Sequence, residues 1–95
     1  EIATAHTELR TISGFLQKRW VVIDSMVAGS AAISRWDYTI SGSGTQTAFT
    51  PNTIPAEWQL PLIYSGVGTH TIVITPICDN GFSGTPFTLS FTGLP

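Results

Sequence analysis

An all-β fold is what this sequence predicts, and three observations predict it. No window of a dozen residues keeps apolar side chains at i, i+3, i+4 and i+7, the helical pattern. Short alternating or apolar runs instead recur between clusters of Gly, Pro, Ser and Asn. The clearest is Gly68 to Thr92, GTHTIVITPICDNGFSGTPFTLSFT, which reads as two alternating strands joined by a turn-rich connection.

Composition agrees. Charged residues make up 11% of the 95, well below the usual quarter or so, while 14 Thr and 9 Ser take their place. Thr suits the wet face of a strand, because its branched Cβ packs on a pleated surface while its hydroxyl stays solvated. The length suffices for one core and is too short for two, so residues 1–95 are expected to form one β-sandwich domain. Glu1 is followed by no basic, apolar, small-residue leader, and the chain is read as a piece of a longer protein.

Taken in order, Leu9 to Phe15 is the first strand candidate, with Leu9 and Ile12 out of phase so that its pairing face stays open. Trp20 to Met26 is the second. Asp24 shares a face with Trp20 and Val22, which turns Val21 and Ile23 inward unless Trp20 shields the edge of the core. Val27 to Ser30 has loop chemistry, and Ala32 to Ile40 then sets Trp36, Tyr38 and Ile40 on one face against Asp37 and Thr39. Ser41 to Gly44 is a turn, and Thr45 to Thr50 a short edge strand. Glu57 to Tyr64 resumes extension, and Pro61, lacking an amide hydrogen, implies an edge or a bulge. In the last pair Ile72 and Ile74 share a face with His70 and Cys78, and Phe87, Leu89 and Phe91 alternate with Thr88, Ser90 and Thr92. Asp79-Asn80-Gly81 supplies a positive φ cheaply, and Gly84 with Pro86 sets the return.

Seven strand candidates punctuated by turns are the pattern of a two-sheet, immunoglobulin-like β-sandwich. The stretch Gly68-Thr69-His70-Thr71-Ile72-Val73-Ile74, with Cys78-Asp79-Asn80-Gly81 and Gly84-Thr85-Pro86, resembles the penultimate strand, connecting loop and last strand of a fibronectin type III module. The resemblance is to the kind found in large bacterial secreted and cell-surface proteins, and it covers about a quarter of the chain. Family members often carry Tyr where this chain has His70. The resemblance implies a non-catalytic spacer or interaction module of an exported protein, secreted or held at the cell surface. Its implied partners are neighbouring domains of the parent chain and possible protein or carbohydrate ligands. No Arg-Gly-Asp tripeptide supports integrin-type adhesion.

Charge and spacing narrow the chemistry. Four basic residues, Arg10, Lys18, Arg19 and Arg35, against six acidic ones leave a formal charge of −2, which offers no field for nucleic acid. No apolar run approaches the 18 or more residues of a membrane helix. One cysteine, Cys78, rules out an internal disulfide and reads as a small hydrophobe. His6 and His70 have no partner at metal-ligand spacing, and Asp79-Asn80-Gly81 lacks the succession of oxygen ligands of a calcium loop. No catalytic residue, metal or cofactor is expected, and the module is expected to be a monomer. His70 reads as a corner residue. Cys78, some 26 Å further along the strand, cannot form a dyad with it. The main alternative is a carbohydrate-binding module appended to a glycoside hydrolase, with Trp20, Trp36 and Trp58 as candidate ligand contacts. That reading requires two or more of Trp20, Trp36, Trp58 and Tyr64 exposed on one surface.

Overall fold

Alternating side chains sort into inner and outer sets once the strands pair, and the pairing makes two antiparallel sheets. The computed structural model describes residues 1–12, 16–29, 32–41, 44–50, 53–60 and 68–92. Among these, the strands are β1 (Ile2–Ile12), β2 (Leu16–Met26), β3 (Ile33–Ile40), β4 (Gln46–Ala48), β5 (Ala56–Gln59), β6 (Thr69–Cys78) and β7 (Phe87–Thr92). One sheet has the order β1-β2-β5 and the other β4-β3-β6-β7. This is the seven-stranded immunoglobulin-like, fibronectin type III-like sandwich expected from the sequence.

The core lies between the sheets. Val21, Ile23, Ile40, Leu60, Ile72 and Ile74 are essentially inaccessible, and each contributes about 1.5–3 kcal/mol by leaving water. Val21 and Ile23 thus point inward, which settles the phase of β2. Trp36, Tyr38 and Ile40 share the inner face of β3 as expected, and Phe91 is buried with Phe87 and Leu89 half-buried beside it. Register shifts explain residues that a strict period of two would misplace. A bulge between Ile33 and Arg35 lets Ile33 and Trp36, three apart, both reach the core. Irregularities between Ile2 and Ala5 do the same for Ile2.

Several strand boundaries differ from the sequence reading, most of all those of β1, β2 and β5. β1 starts at Ile2 rather than Leu9, and Phe15 lies outside the described residues. Its inner positions include Ala5 and Thr7, too small or polar to show an apolar alternation. β2 begins at Leu16, because Lys18 and Trp20 continue the outer row while Arg19 turns inward. β5 ends at Gln59, and Pro61 and Tyr64 lie outside the described residues. Both β4 and β5 are edge strands, as expected.

The turn after β6 is closed by Cys78 N–H to Phe82 O and Gly81 N–H to Cys78 O, with Gly81 at φ 88°. Gly84 then folds back so closely on Pro76 that its amide donates to the Pro76 carbonyl at 2.8 Å, and an added Cβ would sit 2.8 Å from Pro76 Cγ. A proline ring cannot swing aside. Gly84→Ala is therefore expected to destabilise the fold by about 1–3 kcal/mol, whereas Gly44→Ala, with open space around it, is expected to be neutral in urea denaturation.

Candidate functional site

Outward-facing residues of β1, β2 and β5 assemble the largest set of interacting polar side chains among the described residues. Antiparallel register sets His6 opposite Val22, Glu8 opposite Trp20 and Arg10 opposite Lys18, and it sets Val22 opposite Glu57 on the far side. One face thus gathers His6, Glu8 and Arg10 from β1, Trp20 and Asp24 from β2, and Glu57 from β5. His6 Nδ1–H donates to Asp24 Oδ2 at 2.7 Å, and His6 Nε2 lies 3.6 Å from Glu8 Oε2. The Arg10 guanidinium binds Glu8 Oε1, reaches Glu57 Oε1 at 2.7 Å, and lies 4.5 Å above the Trp20 ring. Beneath them Val22, although on the outer face, is only 5% exposed.

The charges shift one another. Hydrogen bonding to Asp24 raises the His6 pKa above its ordinary value; burial opposes it, and the charges of Asp24 and Glu8 add to the rise. Arg10 holds the Glu8 carboxyl below the usual carboxylate range, and Glu8 and Glu57 together raise Arg10. His6 has a carboxylate beside each ring nitrogen, and the arrangement orients these charges in one row across the sheet.

The sequence reading found no partner for His6 at metal-ligand spacing, and pairing across the sheet supplies a carboxylate that spacing along the chain does not show. Asp24 is 18 positions away and reaches it across the sheet. The alternation His6, Glu8, Arg10 was the available signal, but it lies mostly ahead of the strand start inferred from Leu9.

The candidate aromatic contacts separate. Trp36 and Trp58 are 2% and 7% exposed, and their rings stack at 6.0 Å and 24° with Tyr38 against Trp58 at 5.6 Å. Their proposed role as ligand platforms is corrected: both are core residues, because the inner faces of β3 and β5 meet there. Trp36 Nε1–H donates to Thr50 Oγ1 at 2.9 Å. Trp20 is half-buried on the outer face beneath Arg10. Tyr64 lies outside the described residues.

His70 and Cys78 stand at opposite ends of β6. His70 sits at a corner where Ser41 N–H donates to Thr71 O and Thr71 N–H to Ser41 Oγ; its Nδ1 is 3.5 Å from the same hydroxyl and its ring lies against Phe91. Cys78 is a free, half-buried thiol packed on the core. On the outer face of the other sheet a shallow recess of about 230 Å³ is floored by Val73 and Ile77 and edged by Asp37, Thr39, Thr75 and Ser83. The Asp37 carboxylate there already accepts from Arg35 and Thr47. No group of three or more His, Cys, Asp or Glu among the described residues is placed to hold a metal ion.

No protein-family model matches the chain, and no curated protein matches it. Among solved structures, it is similar to fibronectin(III)-like modules of CbhA from Clostridium thermocellum, at 19% identity over 78% of this chain and 75% of that one, with a TM-score of 0.48.

Proposed function

We propose that this chain is a non-catalytic spacer or interaction module of a larger exported protein, with neighbouring domains of its parent chain as its first partners. The observation that carries this reading is that the first residues of β1 and the last residues of β7 lie at opposite poles of the sandwich. Glu1 accepts a hydrogen bond from Val27 beside the turn that follows β2, at the pole where Asp79 N–H also donates to Ala32 O. Thr92 pairs with Thr69, at the other end of β6. Ten residues of extended strand separate those ends by roughly 30 Å, within a body measuring 40 × 27 × 18 Å. The strands that open and close the module therefore end at opposite poles. The apolar side chains between the sheets and the cross-strand pairing favour stiffness over chemistry.

Stiffness is directly measurable. With Cys78 replaced by Ser, spin labels at Ala3 and Thr92, both exposed, are expected to give one narrow distance distribution centred near roughly 30 Å. The same distribution is expected when the module is placed between two folded reporter domains. A broad distribution, like that of a flexible chain of this length, which would centre at about 55 Å, overturns the spacer reading. Titrating a polysaccharide panel while following Trp emission separates the alternative: a glycan-specific change would favour a carbohydrate-binding module, and none is expected.

A further inference from the structure

The outer face of β1, β2 and β5 links its charges in series rather than in separate pairs. Asp24 of β2 holds His6, His6 faces Glu8, Glu8 holds Arg10, and Arg10 spans to Glu57 of β5 while lying on the ring of Trp20. Glu8 is the joint, since one of its oxygens serves Arg10 and the other faces His6. We infer that this row is a proton-responsive clasp, in which protonation of His6 redistributes the Glu8 carboxylate between His6 and Arg10 and so changes the cover over Trp20.

The groups facing His6 are accounted for strand by strand. On β1 they are Glu8 and, beyond it, Arg10. On β2 they are Asp24 and, opposite Arg10, Lys18, with Ser25 of β2 bonded to Thr4 of β1 as neutral neighbours. On β5 the row ends at Glu57. Neutral His6 satisfies Asp24 through Nδ1–H and leaves Nε2 without a proton toward Glu8. Protonation places a second N–H on the Glu8 side, so a contact of 3.6 Å becomes a charge-assisted one. Glu8 is then shared between two cations, and the hold on Arg10 weakens in favour of Glu57. Reciprocity requires that whatever Arg10 does to Glu8 is felt by His6.

The sign of the stability effect follows. His6 is raised in the folded protein, so its stabilisation is complete below the ordinary value of 6.5 and fades as pH climbs through the raised value. Glu8 is lowered, so its stabilisation is present above the ordinary 4.5 and fades as pH drops through the lowered value. The clasp is fully engaged between those two limits. Mildly acidic surroundings close it, and alkaline ones open it.

The test is an NMR pH titration of the unaltered module, following His6 Cε1–H and the indole N–H of Trp20, with Trp36 and Trp58 as core references. The Trp20 signal is expected to move with the midpoint of His6 while the references stay still. Glu8→Gln is expected to lower the His6 midpoint by roughly half a pH unit and to abolish the Trp20 response. Arg10→Gln is expected to raise the His6 midpoint, because Glu8 loses its competing cation. A Trp20 signal that stays flat while His6 titrates overturns the inference, as does a His6 midpoint indifferent to Arg10→Gln, which would reduce the row to an isolated His6–Asp24 pair.

Discussion

Trp58→Ala is expected to remove about 3–5 kcal/mol of folding stability, enough to leave a module of ordinary stability, about 5–15 kcal/mol, near or past its unfolding threshold at 37 °C. Trp58 is the only large aromatic that β5 sends between the sheets, and it meets Trp36 and Tyr38 together. Its loss empties a volume bounded on one side by a strand of four residues, whose other core side chains are only Ala56 and the adjoining Leu60. The Phe variants discriminate this account from a general intolerance to substitution. Trp58→Phe keeps the stack and removes an indole N–H that is buried without a partner, so its cost is expected to be small. Trp36→Phe strands the Thr50 hydroxyl that accepts from Trp36 Nε1, and is expected to cost about 1 kcal/mol more. Urea denaturation of the four proteins, wild type included, checks the order. Equal costs for the two Phe variants would mean that the Thr50 bond contributes nothing.

The same two tryptophans show where sequence reasoning succeeds and where it stops. Alternation placed Trp36 with Tyr38 and Ile40 on one face of β3, and Ile72 with Ile74 on one face of β6, because a half-buried strand writes its inner face into every second residue. Trp58, a candidate ligand contact, lies between Glu57 and Gln59, polar flanks of the kind a solvent-facing ring would carry. Glu57 and Gln59 do face outward, but this is what a period of two requires when Trp58 faces inward. Polar neighbours on a strand therefore say nothing about exposure of the residue between them. The contact of His6 with Asp24 is hidden from the sequence for a different reason. Their proximity depends on the register of β1 against β2, and a shift of one residue would have turned the whole row of His6, Glu8 and Arg10 inward.

Arg19 departs furthest from local expectation, and its variants carry the second large effect. It follows Lys18 in an otherwise ordinary charged pair, yet alternation with Val21 and Ile23 turns it between the sheets, where it is 7% exposed. There Nη2 donates to Thr92 O at 2.8 Å, Nη1 to Thr7 Oγ1 at 3.2 Å, and the guanidinium lies 5.0 Å from the Phe91 ring. Burial lowers its pKa, but an arginine starts so high that it stays charged. The side chain thus joins β2 to β1 and to the last residue of β7. Arg19→Ala removes these bonds and opens a void, and is expected to cost about 2–4 kcal/mol. Arg19→Met fills most of that volume without a charge to desolvate, so it is expected to fall within about 1 kcal/mol of wild type. Arg19→Lys keeps a charge but lacks the planar fork that serves two acceptors and lies on Phe91, and is expected to be worse than Met. Denaturation midpoints rank the three, and amide exchange at Thr92 localises the effect: its protection is expected to fall in the Ala and Lys variants ahead of that of β3. If Lys proved better than Met, charge rather than filled volume would be what holds β7 in place, and that joint would be electrostatic and sensitive to salt.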